Sequence, residues 1–469
     1  MGRTIRGAYS TGQDLSVKSV AELTKDVSLD KVGGEMFELV SELYPICRSI
    51  TGDGVRRSLD IIRRRIPLET HEVPTGTKVF DWAVPQEWNI KDAYIKNPKG
   101  EKIVDLKNSS LHVVGYSRPI HRVVRRNELK EHVFTIPERP EWIPYRTAYF
   151  RDDWGFCISH RQMMALEDGE YEVFIDSAVD DGFLTYGELL ISGRTSDEVL
   201  ISTHVCHPSL CNDNLSGISL ATILAQHLAT VSLKYSYRFL FIPATFGSIT
   251  WLSRNEHQTS RIQHGLVLAG VGDQGKTTYK KSRRGDAEID KAVVHVLRHS
   301  QQEFDVIEFF PYGYDERQFC SPGFNLPVGC LMRTPHGCYP EYHTSADDLK
   351  FIQPTSLADS FWKCLSTIAV LEGDATFVNE NPKCEPQLGR RGIFRSYSER
   401  TDGAQKEMAL LWVLNLSDGK HSLLDIAERS GLKFDAVRNA ADVLLEHNLL
   451  AECHRSESIS PAGRNHESS

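Results

Sequence analysis

The stretch Ile201-Ser-Thr-His204-Val-Cys206-His207-Pro-Ser-Leu-Cys211-Asn212-Asp213-Asn214-Leu-Ser216-Gly217 decides how the chain is read. It runs from an apolar segment, 199–202, into a loop with two histidines and an aspartate. The small-residue turn Ser216-Gly217 then opens a helical pattern. A histidine at the end of a buried strand and an aspartate at the mouth of the next helix can share a metal. Imidazole and carboxylate are the usual ligands of a catalytic zinc that keeps one position open for water.

Outward from this stretch, strands alternate with helices. Apolar strands are expected at 198–205, 238–242, 265–269 and 328–332, and helices at 215–230, 289–298 and 356–371. Two more helical patterns, 37–47 and 56–65, precede them. The alternation predicts an α/β fold with a mixed, mostly parallel sheet covered by helices on both faces. Sites in such sheets gather at the carboxyl ends of the strands. Residues 78–180 have a different texture, rich in aromatics, prolines and short β-type runs, and are expected to form an inserted β-rich domain. Residues 1–30 read as a polar lead-in, so the α/β domain is discontinuous, 31–77 and 181–381. A linker, 382–403, leads to three helical patterns at 406–416, 422–430 and 434–447 and a short possible wing from Leu449. That is a helix-turn-helix layout, and 398–469 is expected to be a winged-helix-like domain.

With 469 residues, two or three domains are expected. The formal charge of -9 gives the whole chain no electrostatic reason to bind nucleic acid or an anionic membrane. No apolar run is long enough to span a bilayer. The start, Met1-Gly-Arg-Thr-Ile-Arg, lacks the apolar core of a secretory signal. The ten cysteines include no CxxC pair and read as reduced thiols, so a cytoplasmic location is expected. Cys206 and Cys211 read as small buried thiols rather than ligands.

Further clusters carry chemistry: Tyr314-Asp315-Glu316-Arg317, Arg333-Thr-Pro-His336-Gly, and Glu341-Tyr342-His343-Thr-Ser-Ala-Asp347-Asp348. The pair Asp347-Asp348 also suits a helix N-terminus. Thr203-His204, Asn212-Asp213-Asn214-Leu-Ser-Gly217 and Tyr342-His343-Thr344 with Asp347 resemble three motifs of the zinc aminopeptidase-like metallopeptidases. Gly313-Tyr-Asp-Glu-Arg-Gln-Phe-Cys-Ser-Pro-Gly and Met332-Arg-Thr-Pro-His-Gly resemble a bacterial group of that clan. In that group a small β domain interrupts the peptidase domain, a winged helix follows, and the genes often accompany polysaccharide biosynthesis genes. The resemblance covers about residues 33 to 455.

It implies metal ligation by His204, Asp213 and His343, with zinc as the cofactor; the departures that follow put the clan's two-metal site aside and leave one zinc per chain as the expectation. The chain also departs from the clan. Where a Glu-Glu pair follows the second strand, this sequence reads Ile242-Pro-Ala-Thr-Phe-Gly247. Asp273 lies a few residues late for the further acidic ligand, and Cys206 replaces the acid two residues after the first histidine.

A hydrolase needs a base. Glu316 is the leading candidate, followed by Asp315 and Glu341; Glu316 can equally pair with a neighbouring arginine. Arg317 or Arg333 can hold a substrate carboxylate or sit in a structural ion pair. His207 is open as second ligand, oxyanion donor or substrate contact, and Tyr342 as a substrate contact. The basic run 279–284 suits solvated surface charge or an anionic substrate.

The expected function is a zinc-dependent amide hydrolase, aminopeptidase-like or a deacylase, acting on a small peptide-like or acyl-amide substrate. The alternative is a catalytically altered binding or regulatory protein. A DNA-binding regulator ranks third: Arg438 stands against Asp435, Asp442 and Glu446 on the presumed recognition helix. That balance favours protein contact or oligomerisation over DNA.

Overall fold

The structure is a computed structural model, and it describes residues 18–149, 151–393 and 403–453. The chain forms two compact units, residues 1–369 and 370–469. No described helix is long and apolar enough to cross a membrane.

The first unit is built on an eight-stranded sheet. Its strands are β1 (Glu69–Pro74), β2 (Phe183–Ile191), β3 (Glu198–His204), β4 (Ser236–Ile242), β5 (Ile262–Leu268), β6 (Thr277–Lys280), β7 (Phe304–Ile307) and β8 (Val328–Met332). They lie in the order β1-β2-β4-β3-β5-β8-β6-β7. β3 is parallel to both β4 and β5, and β5 to β8; the antiparallel pairs lie toward the two edges. Both β3 and β4 are buried at every position, because helices cover the two faces. Such strands read as continuous apolar runs, which is why the sequence reveals them. The charges in this part of the sheet compensate one another: Arg238 of β4 grips Glu198 of β3 through two bonds of 2.6 and 2.8 Å and also meets Glu188 of β2. A buried charge needs that kind of paired, hydrogen-bonded partner.

β1 and β2 are antiparallel neighbours, from Glu69 opposite Glu188 to Pro74 opposite Phe183. The insertion leaves the sheet at the end of one and returns at the start of the other. It holds a four-stranded antiparallel sheet with Glu87–Lys96 and Glu170–Asp180 at its centre. Its own core includes Trp88, Ile95, Val173 and Ile175.

Three expectations need correction. Part of the polar lead-in is helical, Val20–Asp26 and Leu29–Leu43, the first started by a Ser19–Glu22 capping box; residues 1–17 lie outside the described ones. Thr376–Asn379, assigned above to the α/β domain, pairs with Asp418–Ser422 and Leu450–Glu452 in the sheet of the second unit. Asp347-Asp348 does not open a helix, since the next one starts at Pro354.

The second unit adds the helices Gly403–Leu416, Leu423–Ser430 and Phe434–Glu446. Gly431, at φ 71°, ends the second of them. Part of the linker and of the 398–469 domain falls outside the described residues.

Candidate metal centre

β3, β4, β5 and β8 are mutually parallel, so their carboxyl ends meet at one edge of the sheet. His204 is the last residue of β3. Asp213 lies in the following turn, and Gly217 opens the helix Gly217–Leu228. A Cβ at Gly217 would stand 2.5 Å from the Leu268 carbonyl oxygen, so the turn can approach β5 only with glycine there.

Asp213 is fully buried and three imidazoles face it. His204 Nε2 is 3.0 Å from Oδ1, His343 Nε2 is 2.9 Å from Oδ2, and His207 Nε2 is 3.7 Å from Oδ2. Ligand atoms of His204, His207 and Asp213 lie within 4.8 Å of one another. Burial pushes the Asp213 carboxyl upward, but the facing histidines outweigh it and hold it well below the usual carboxylate range. Burial drives His207 down to about 3. An ionised carboxylate beside a neutral imidazole is a donor set that zinc accepts.

Neighbouring groups hold these side chains in place. Asp347 accepts the backbone N–H of Asn212 at 2.6 Å and of Asp213 at 3.0 Å. Asn214 Nδ2 donates to Thr203 Oγ1 at 2.8 Å and lies 3.2 Å from His204 Nδ1, while its Oδ1 accepts the Gly270 N–H at 3.1 Å. Tyr314 stacks on the His204 ring, with centroids 5.3 Å apart. Arg48, buried, donates from Nε to the His207 carbonyl at 2.9 Å. His343 has φ 54°, a left-handed conformation unusual outside glycine. Its carbonyl accepts the Tyr145 N–H at 2.8 Å, and the Tyr145 ring stands edge-on to His343 and His207.

The carboxylates sort by partner. Glu316 is fully buried against Lys280, 2.7 Å from its Nζ. The leading base candidate is therefore in an ion pair, with a lysine rather than an arginine. Lys280 belongs to the run expected to suit solvated surface charge, and it is wholly buried. Asp315 is also buried. Its Oδ1 accepts Ser248 Oγ at 2.8 Å, and its Oδ2 has no hydrogen-bond partner among the described residues. Burial raises its carboxyl to about 6, against the opposing pull of His204. Ser248 lies just beyond the segment where the Glu-Glu pair is missing. Asp273 accepts Asn212 Nδ2 at 2.9 Å, Thr334 Oγ1 at 2.7 Å and Gly275 N at 2.6 Å, which gives it a scaffolding part away from a metal.

Arg333 is not available to a substrate. It donates to Asp359 at 2.6 Å and to the Gly275 carbonyl at 2.8 Å. Arg317 lies over the Tyr312 ring, and Tyr342 stacks on His343 at 3.9 Å. Asp348 accepts the Lys350 N–H in a turn. Cys206 and Cys211 are buried thiols, and none of the ten cysteines is disulfide-bonded. The sequence reading missed Arg48, Ser248 and Tyr145 and gave Asn214, inside the quoted motif, no separate role. Of the three missed, Arg48 leaves a signal, a lone cation in the uncharged Pro45-Ile-Cys-Arg-Ser-Ile50 before two glycines.

Residues 37–374 match the family model described as a domain of unknown function, DUF4910. The chain belongs to the DUF4910 family. Residues 375–452 match a winged helix-turn-helix model, consistent with the second unit. A Clostridium acetobutylicum protein, named provisionally as a polysaccharide biosynthesis protein with an aminopeptidase-like domain, is 54% identical over 420 residues, 90% of this chain and 96% of that one. A crystal structure from the same organism, described provisionally as a peptidase, has a TM-score of 0.88 at 51% identity and covers 92% of this chain and 99% of its own. The zinc aminopeptidase of Bacillus subtilis aligns at a TM-score of 0.53 and 12% identity, over 72% of this chain and 94% of its own. The DUF4910 chain thus has the zinc aminopeptidase-like fold.

Proposed function

We propose that this DUF4910 protein is a zinc-dependent amide hydrolase acting on a small peptide-like or acyl-amide substrate. The observation that carries the reading is the convergence of three imidazoles on one buried, ionised carboxylate at the carboxyl ends of parallel strands. His204, Asp213 and His343 would hold the metal, with His207 as a further donor. The donor set suits one ion, because the segment after β4 carries no acid and Asp273 is engaged elsewhere. Zinc bound there supplies a Lewis acid for an amide carbonyl and for water.

The remaining chemistry belongs to the chain. Asp315 replaces Glu316 as the base we favour. Its Oδ2 has no other partner among the described residues, and a carboxyl near 6 can take a proton from attacking water and return it to the leaving nitrogen at neutral pH. Ser248 orients the Asp315 carboxylate through the other oxygen. Tyr145, Tyr314 and Tyr342 pack their rings against the histidines and hold the imidazoles in place. The name of the Clostridium relative supports a substrate connected with glycan assembly, such as an amide on a sugar or on a peptide attached to one.

A second reading, a binding protein descended from a hydrolase, draws on the missing carboxylates after β4. One experiment separates the two. Metal content and hydrolysis are measured with zinc over a panel of aminoacyl and N-acyl amides, beside Asp213→Asn and His343→Ala. The hydrolase reading expects near one zinc per chain, turnover, and loss of both in the variants. Zinc without turnover across the panel favours the binding protein, and metal retained in full by His343→Ala removes His343 from the ligand set.

A further inference from the structure

A cavity of about 420 Å3 opens beside the candidate metal centre, and no site residue discussed so far lines it. The volume falls within the roughly 300–1,000 Å3 of small-molecule pockets. Its walls come from two parts of the first unit. Trp82, on the hairpin at 78–83, and Tyr116, Tyr149, Arg118 and Arg151 are supplied by the insertion, and Phe246 by the helix that follows β4.

The cavity is one side chain away from the imidazoles. The Tyr149 hydroxyl is 3.4 Å from that of Tyr145, whose ring stands edge-on to His207 at 5.3 Å and His343 at 5.1 Å. On the same side, Phe246 follows the turn after β4, and Ala244 in that turn takes the Cys206 thiol at 3.8 Å.

The lining has two features. The first is a fixed aromatic surface. Trp82 is half exposed and meets Phe246 edge-on at 5.5 Å. The Tyr116 hydroxyl is anchored 2.7 Å from Thr51 Oγ1 and donates to the Gln86 carbonyl. The second is cationic. Arg118 pairs through Nε with Asp152, a side chain 84% exposed, and among the described residues no acid pairs with Arg151. Asp81 is the acid in the lining. Aromatic faces take the apolar face of a compact ring or chain, and an arginine fork reads a carboxylate.

We propose that this cavity is a substrate subsite for a carboxylate-bearing group, either a uronic-acid-type sugar ring or the carboxyl end of a short peptide. The inference rests on the hydrolase reading for its use in substrate binding, but the cavity binds ligand without turnover, so the two can fail separately. Arg151 and Arg118 hold the carboxylate, and Trp82 and Tyr149 pack the body of the ligand. The inserted domain then contributes the part of the substrate site that the shared hydrolase fold lacks.

The test is ligand-observed NMR titration of the full chain with D-glucuronate, D-glucose and glycyl-leucine, with no hydrolysis required. The carboxylate probes are expected to bind at least tenfold more tightly than glucose. Arg151→Gln combined with Arg118→Gln should remove that advantage, and Trp82→Ala should weaken every probe. Circular dichroism checks that the variants remain folded. Glucuronate stronger than glycyl-leucine assigns the subsite to an acidic sugar, and the reverse order to a peptide carboxyl. Equal binding of glucose and glucuronate, no binding of either carboxylate probe, or affinities unchanged by the arginine substitutions overturns the proposal. Binding that follows the arginines in a chain without hydrolase activity keeps the subsite and rejects the hydrolase.

Discussion

Asp315 and Glu316 are adjacent, yet their surroundings give them opposite uses. Lys280 comes from β6 and Glu316 from a short helix elsewhere in the chain, so their pairing is invisible to local sequence, and side-by-side carboxylates could not be ranked without it. Asp315 is left with one held oxygen and one without a partner among the described residues. If it is the base, it works ionised, so kcat/KM should rise with pH through about 6 and then level off. Asp315→Asn should lower kcat by about 10²–10⁴-fold, the usual contribution of a general base. Stability should move the other way. The folded-state carboxyl is raised from 3.8 to about 6. Between those values the folded chain keeps a proton that the unfolded chain has released. Stability therefore falls as pH rises through that window, and the full cost, at most roughly 3 kcal/mol, is present above it. Thermal unfolding at pH 8 should show Asp315→Asn at least as stable as the parent while turnover is lost. A variant with lower stability and normal turnover would reject the assignment.

At the scale of elements, the site depends on loops braced from a distance. Asp347 ties the turn after β3 by accepting two backbone N–H groups; burial pushes its carboxyl up to about 8, so at neutral pH these are bonds to an uncharged acid, worth about 0.5–1.5 kcal/mol each. Asp347→Ala should lower the thermal midpoint and zinc affinity together; a normal melting curve with normal zinc binding would show the bonds to be dispensable. The inserted domain braces His343 through the Tyr145 N–H and ring, and through Ile143, whose N–H donates to Ser345 Oγ and whose carbonyl accepts the Ser345 N–H. Tyr145→Ala should weaken zinc binding about 10–100-fold, the usual effect of removing support around a ligand. Tyr145→Phe keeps the ring and backbone bond and should bind zinc normally in a competitive chelator titration. The strands that place the site were legible because β3, β4 and β8 are buried at every position and each carries an apolar run. β1 was not, since its alternation of Glu, His and Pro shows only one buried position. The brace from Tyr145 was not legible either, because nothing periodic in residues 140–149 points across the chain to residue 343.

At the scale of the whole molecule, the sequence divides an acidic chain into a hydrolase-like unit and a winged helix, and the second unit raises the question of nucleic acid. A recognition helix must present basic groups to phosphates. In Phe434–Glu446 the arginine, Arg438, is turned to its own unit. It pairs with Asp442, donates to the Gly373 carbonyl at 3.2 Å and lies over the Phe377 ring. Asp435 and Glu446 on the same helix add repulsion. The three-helix layout was readable from periodicity and Gly431, while the strand Thr376–Asn379 was not, because it stands before the linker that appeared to begin the domain. We expect no binding of the full chain to random-sequence duplex DNA in fluorescence anisotropy at 50 mM salt, where counterion release most favours association. Replacing Asp442 with Asn should free the arginine without creating affinity, since one cation cannot offset the helix acids and a net charge of -9. Micromolar, salt-sensitive binding by the parent would reverse that conclusion and assign the winged helix to DNA.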